Sequence, residues 1–270
     1  MADERQSVIL VTGGSRGIGA GIAQVFVAAG ATVIVCGRDS VVGEATAREM
    51  DHNGPGHCQF VQCDVSNSKD NERLIEVTLA REGRLDCLVN NAGWHPPHRP
   101  IDEVSVSEFE ALMRLNVTSY FELCKLALPA LRATRGSIIN VGSLVGTIGQ
   151  EGACAYTATK SAISGLTKAL AIDEARYGVR VNAVLPGVIE TPSHLTYLSR
   201  QADPAAAEHE IDQWQWLGRI GHAEEVGRVC LFLSGEGATF VTGADIVVSG
   251  GAELGYGMKT GWAQPLGVRG

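Results

Sequence analysis

Several things are scarce in this sequence, and each scarcity excludes a class of protein. Aromatic residues make up 6% of the 270 positions and charged residues 19%, while apolar residues reach 45%. That balance rules out a disordered, highly charged chain and suits a packed globule. No run approaches the roughly 18 uninterrupted apolar residues of a membrane span. Positive charge is short: 22 Lys and Arg stand against 30 Asp and Glu, a formal net charge of -8. Neither nucleic acid nor an anionic membrane is therefore an expected partner. No Pro/Ser-rich linker, repeat or low-complexity segment divides the chain. The 7 cysteines are odd in number, and no pair has CxxC spacing, so buried reduced thiols are expected rather than disulfides or a zinc site. The polar start, Met1 to Gln6, leads directly into an apolar run. A secretory leader is not expected, and the cytosol is the expected compartment.

Glycine, by contrast, is abundant at 33 residues, with no period of three, so many should serve turns and close backbone approaches. Short β-branched runs alternate with longer amphipathic ones. Strands are expected at Ser7 to Val11, Thr32 to Cys36, Cys58 to Cys63, Cys87 to Asn90, Ser137 to Val141, Val179 to Leu185 and Asp245 to Val248. Helices are expected at Gly17 to Ala29, Val41 to Met50, Ser68 to Glu82, Ser105 to Thr134, Ala155 to Tyr177 and Ala223 to Ser234. The stretch from Ile189 to Gly221 has the weakest periodicity. Near-continuous apolar strands between helices imply an α/β protein: one doubly wound domain, its seven-stranded parallel sheet covered on both faces.

The first strand ends in Thr12-Gly13-Gly14-Ser15-Arg16-Gly17-Ile18-Gly19. The spacing is G-x3-G-x-G, not GxGxxG, and no GK[ST] follows that would make a Walker loop. Such a turn lets the backbone approach a pyrophosphate while the next helix aims its free N–H groups at the phosphates. Tyr156 and Lys160 lie at i and i+4 on one helical face, thirteen residues after Ser143, which follows the fifth strand. An ammonium beside a phenol favours the phenolate, so the Tyr156 pKa is expected to fall toward neutrality. The pair His95 and His98, separated by two prolines, has no third ligand in place, and no metal is expected. Trp214 and Trp216 suit a substrate pocket and a core equally well. Cys154 is expected to pack.

Thr12 to Gly19, Cys63-Asp64-Val65, Asn90-Asn91-Ala92-Gly93, Asn116, Ser143, Tyr156-xxx-Lys160 and Pro186-Gly187 together resemble the motif set of the classical short-chain dehydrogenase/reductases, in order and over essentially the whole chain. The resemblance implies a Rossmann sheet, a nicotinamide cofactor, a small-molecule alcohol or ketone substrate and a homotetramer. It divides the single domain 1–270 into a mainly cofactor half at 1–135, a catalytic and substrate half at 136–257 and a tail at 258–270. Tyr156 would exchange the proton of the alcohol, Lys160 would tune Tyr156 and bind the nicotinamide ribose, Ser143 would hold the substrate oxygen, and Asn116 would anchor a relay water. Gly13, Ser15, Arg16, Gly17, Ile18 and Gly19 would hold the pyrophosphate. Asp64 and Val65 would meet the adenine, and Asn90, Ala92 and Gly93 the adenosine side. Pro186, Gly187, Val188 and Thr191 would meet the nicotinamide. Within the family, Asn90 to Pro97, Leu126 to Leu131, Ser143 to Gln150 and Gly251 to Gly257 are similar to the type-14 group of 17β-hydroxysteroid dehydrogenases. Members of that group are described as oxidising 17β-hydroxysteroids and, in some cases, L-fucose.

Two departures carry weight. Relatives that prefer NAD end the second strand in an acidic residue, whereas this chain has Cys36-Gly37-Arg38. Arg38 and Arg16 favour the 2′-phosphate, so NADP(H) is the expected cofactor, with NAD(H) as the alternative suggested by the type-14 likeness. Glu190 replaces the bulky aromatic associated with that group. A steroid-like alcohol would lie on Trp94, Leu144 and Val145, whereas a sugar would use His95, Gln150 and Glu190. The alternative function is a catalytically idle dinucleotide sensor or scaffold on the same fold.

Overall fold

The structure, a computed structural model, describes residues 6–255. The expected tail at 258–270 lies outside the described residues. The elements run β1 (Val8–Thr12), α1 (Gly17–Ala28), β2 (Thr32–Gly37), α2 (Ser40–Asn53), β3 (His57–Gln62), α3 (Ser68–Glu82), β4 (Cys87–Asn90), α4 (Val106–Met113), α5 (Ser119–Thr134), β5 (Ser137–Val141), α6 (Val145–Ile148), α7 (Cys154–Glu174), β6 (Arg180–Pro186), α8 (Pro192–Leu198), α9 (Pro204–Asp212), α10 (Ala223–Ser234) and β7 (Asp245–Val248). All seven strands are parallel, in the order β3-β2-β1-β4-β5-β6-β7. The order reverses between β1 and β4, and the crevice at that switch point is where open α/β sheets bind ligands.

Side-chain alternation divides the core into two layers. Ile9, Val11, Val33 and Val35 face α1 and α10, packing on Ile22, Phe26, Val226 and Leu233. Val8, Leu10, Ile34 and Leu88 face the opposite way, onto Leu74 of α3 and Leu123 and Leu131 of α5. Each such burial contributes about 1.5–3 kcal/mol against exposure. The helix starts follow local chemistry: Asp39 accepts from Val42 N, Asn67 accepts from Lys69 N, and Ser105 with Glu108 forms a reciprocal cap.

Two regions differ from the sequence reading. The single helix expected over 105–134 contains a π-turn at Arg114–Thr118, joining α4 to α5. A bidentate ion pair from Arg114 to Glu122, at 2.6 and 2.7 Å, spans it. The weakly periodic stretch holds α8 and α9, each begun by a capping side chain (Thr191, Asp203) and a proline in the first turn. Their small shared core is Leu198, Ile211 and Ile220. All seven cysteines are free; six are buried, but Cys154, expected to pack, is exposed at the first position of α7. Among the described residues, no helix is long and apolar enough to cross a membrane.

Candidate active site

The turn after β1 is welded to the loop after β4. Thr12 Oγ1 accepts from the backbone N–H groups of Asn91 (2.9 Å) and Ala92 (3.0 Å), and Asn91 Nδ2 donates to Thr12 O and Gly13 O. Gly13 has φ +64, and a Cβ there would lie 2.9 Å from Ala92 Cα; on Gly19 it would lie 2.3 Å from Gly13 O. Only glycine fits either place. The α1 N-terminus is capped by Arg16 without a side-chain hydrogen bond, and no acidic residue sits in its first turn. The N–H groups of this first turn are thus left without a capping side chain, which fits an anionic pyrophosphate. Thr191 comes within 3.3 Å of a Cβ built on Gly17, so the segment after β6 closes on the same turn.

At the end of β2, Gly37 and the exposed Arg38 stand where a carboxylate is absent, and Ser15 Oγ lies 2.8 Å from a Cβ built on Gly37. Arg16 is not free: its Nη2 pairs with Asp39 Oδ2 at 2.7 Å, both groups about half exposed. Asp64 accepts from Ser66 N and Oγ through Oδ1. Burial works against its charge, but those bonds and the Arg38 guanidinium hold its carboxyl below the usual range. Val65 is buried beside it, its carbonyl taken by Asn71 Nδ2. The Asn90 side chain lies in the core, donating to Asn140 Oδ1 (2.9 Å) and Cys124 Sγ (3.3 Å). Its side chain is therefore turned into the core and not toward the expected adenosine.

Ser143 follows β5, and Tyr156 and Lys160 share one face of α7. The Ser143 side chain stands beside the Tyr156 phenol and acts to lower its pKa. Lys160 is 4% exposed; its Nζ donates to Val141 O at 2.8 Å and lies 5.8 Å from the Tyr156 ring centroid. Burial pushes the phenol up to about 12, partly countered by Ser143, and pushes the ammonium down to about 8. The expected lowering of Tyr156 is thus reversed here: burial outweighs a lysine whose ammonium is bonded to a carbonyl instead. Asn116 is buried in the π-turn, accepting from Trp94 N and donating to Trp94 O and Thr159 Oγ1, all within 3.1 Å. Gly93 sits against it: a Cβ there would lie 3.1 Å from Asn116 Oδ1 and 3.7 Å from Lys160 Nζ.

Tyr156 and Ser143 open onto a cavity of about 970 Å³, also walled by His95, Leu144, Val145, Gln150, Pro186, Gly187 and Val188. His95 packs its ring 4.1 Å from that of Tyr156, and its Nε2 is 2.9 Å from Gln150 Oε1. Glu190 and Trp94 are not in this wall. Ile189 is bridged to Gly221 and turned inward, so Glu190, next along the extended backbone, faces out. The carboxylates that do line the cavity are Glu151 and Glu210, joined by His98, Gln213, Trp214 and Gln215. Trp216 separates from Trp214: its indole N–H donates to Leu254 O, and the side chain packs on Gly251 and Gly255.

A family model described as Enoyl-(Acyl carrier protein) reductase matches residues 13–253. A solved short-chain type dehydrogenase/reductase from Mycobacterium ulcerans superposes with a TM-score of 0.86 at 30% identity, over 94% of this chain and 92% of that one. The chain belongs to the short-chain dehydrogenase/reductase family. It is 49% identical over 258 residues to the L-fucose dehydrogenase of Bos taurus, covering 96% of this chain and 93% of the relative. It is 36% identical over 252 residues to the cyclopentanol dehydrogenase of a Comamonas species, covering 93% and 98%. As a member of this family, the protein is an oxidoreductase that uses a nicotinamide cofactor and acts on CH–OH groups. Sequence reasoning missed Asn91, Glu151, Glu210, Gln213 and Gln215. The NNAG motif carried Asn91 in view, but the others sit in the aperiodic arm or beside Gln150, where no local pattern marks a cavity wall.

Proposed function

We propose that this short-chain dehydrogenase/reductase oxidises a polyhydroxylated ring alcohol, with L-fucose as the first candidate and NADP+ as the preferred oxidant. The observation that carries the reading is the Ser143–Tyr156 pair at the floor of a cavity whose mainly apolar wall is set with the polar side chains of Gln150, Glu151, Glu210 and Gln213. A flat apolar steroid would offer no partner to the half-buried amides of Gln150 and Gln213, which is costly, whereas ring hydroxyls pair with them. The likeness to L-fucose dehydrogenase supports the same substrate class.

The nicotinamide, when bound, supplies the hydride acceptor. Ser143 orients the substrate hydroxyl and stabilises the negative charge that develops on its oxygen. Tyr156 takes the hydroxyl proton during oxidation and returns it during reduction. Lys160 keeps a positive charge near the phenol, and Asn116 fixes the Trp94 backbone that closes the site. The Gly13–Gly19 cradle would hold the pyrophosphate, and Val188 and Thr191 would meet the nicotinamide end. Arg38 is the residue we assign to the 2′-phosphate, because Arg16 is already paired with Asp39. The assignment of the cytosol and of a homotetramer belongs to the same reading. Exposed Phe232 on α10 and the outer edge of β7, unpaired among the described residues and bearing the exposed Val247, support self-association.

The test is reduced-nicotinamide formation with L-fucose and each oxidised cofactor. Turnover that is faster with NADP+ agrees with the proposal; no turnover of any polyol with either cofactor refutes it.

A further inference from the structure

One fully buried phenol lies beside the reacting groups and takes no part in the chemistry described so far. Tyr120 stands in the first turn of α5, directly after the π-turn that carries Asn116. Its hydroxyl donates to Val141 O at 3.3 Å, and Lys160 Nζ donates to the same carbonyl at 2.8 Å. The Tyr120 ring also faces the ammonium: Nζ lies over it, 5.6 Å from the centroid, and over the Tyr156 ring at 5.8 Å. The titratable groups facing Lys160 are thus two phenols, Tyr120 from α5 and Tyr156 from its own helix. From β5 it meets the Val141 carbonyl, and from the loop after β4 it meets Gly93, where a Cβ would lie 3.7 Å from Nζ. Burial alone pushes the ammonium down to about 8, with no carboxylate among the described residues acting on it. An ammonium has three donors, and only one of them is used here by a protein oxygen. What remains to favour the charge is the negative face of an aromatic ring within about 6 Å, an attraction that strengthens away from water.

We propose that Tyr120 is a positioning residue for Lys160: its ring face holds the buried lysine as an ammonium beside Tyr156, and its hydroxyl steadies the carbonyl to which that ammonium is bonded. This rests on the reading of Lys160 as the charge that serves the reacting phenol. An aliphatic side chain at position 120 would leave the same burial without the compensating face, so Lys160 would lose its proton at lower pH. Phenylalanine would keep the face and lose only the bond to Val141 O.

The experiment follows Lys160 itself. The chain has five lysines, so isotope labelling of their side chains gives few NMR signals, and the one missing in Lys160→Met belongs to Lys160. Its titration is read in full-length wild type, Tyr120→Phe and Tyr120→Leu, without substrate. The midpoint should fall in Tyr120→Leu by at least about 0.5 pH unit, roughly threefold in proton affinity, and by clearly less in Tyr120→Phe. If Tyr120→Leu fails to fold, Tyr120→trifluorophenylalanine takes its place with the same expected fall, since fluorine withdraws charge from the ring face and nearly keeps its shape. A smaller fall, or a rise, overturns the proposal. So does a fall in Tyr120→Phe as large as in the ring-deficient variant, because the hydroxyl and not the face would then hold the charge. Turnover tests the underlying reading separately. In the reduction of cyclopentanone by NADPH, the pH at which the rate declines should move with the Lys160 midpoint in each protein. A lowered midpoint with an unmoved decline keeps Tyr120 as the residue that holds Lys160 charged and removes Lys160 from the proton exchange.

Discussion

Lys160 is an ammonium held where an ammonium is poorly tolerated. It is nearly fully buried, and the Val141 carbonyl is its hydrogen-bond acceptor. Burial of the charge costs stability. Because its pKa is lowered from 10.5 to about 8, this penalty is fully present below pH 8 and fades as pH rises toward 10.5. Lys160→Met should therefore melt at a higher temperature than wild type at pH 7, while turnover is lost, and the gain should shrink above pH 8. Calorimetry at pH 7 and at pH 10 checks both signs. The same titration should set the reductive pH profile: carbonyl reduction should decline as pH rises through about 8, because Tyr156 keeps its proton to about 12. A decline that persists in Lys160→Met would assign it to another group. At the adenosine edge, Gly37→Asp with Arg38→Ala should reverse the cofactor preference from NADP(H) to NAD(H) in a fluorescence titration. The one close approach of the new Cβ is to the Ser15 hydroxyl, which can rotate aside; Phe60 lies at ordinary contact distance.

Among the elements, the π-turn at Arg114–Thr118 is where local and global demands meet. It places Asn116 against the Trp94 backbone, and the Arg114–Glu122 pair closes over it. The guanidinium and the Asn71 and Ser68 donors lower the Glu122 carboxyl to about 2 against partial burial, so its contribution is present above the ordinary carboxylate range and is lost as pH falls toward 2. Glu122→Gln should destabilise by about 1–2 kcal/mol in urea unfolding at pH 7, and the difference from wild type should vanish near pH 2. This turn was not legible in the sequence. One extra residue in a helical turn barely disturbs the apolar period, so α4 and α5 read as one helix. The strands were legible almost to the residue, because buried parallel strands are nearly pure β-branched runs bounded by glycine. The Ser143, Tyr156 and Lys160 constellation was legible for a different reason: it depends on fixed offsets along one strand end and one helix. Glu210 and Gln215 were not, since their place in the wall comes from packing of the arm onto Ile220 and Gly250, contacts distant from any local pattern. Glu190 misled for the converse reason: an acidic residue near the right loop faces outward once Ile189 takes the inward position.

In the whole molecule three regions meet at the carboxyl edge of one sheet: a glycine cradle after β1, the Ser143 and Tyr156 floor after β5 and polar side chains from the α9 arm. Their convergence follows from the strand order, which puts β1, β4, β5 and β6 side by side. Self-association through α10 and the β7 edge predicts a sedimenting species of about four chains. The most direct test of the central claim is the growth of reduced-nicotinamide absorbance on mixing purified enzyme, NADP+ and L-fucose, run beside Tyr156→Phe. The account predicts steady formation of NADPH by wild type and a rate at least roughly a hundredfold lower in the variant, with cofactor affinity retained. Equal rates in the two proteins, or no NADPH or NADH formation with any secondary alcohol, would contradict it.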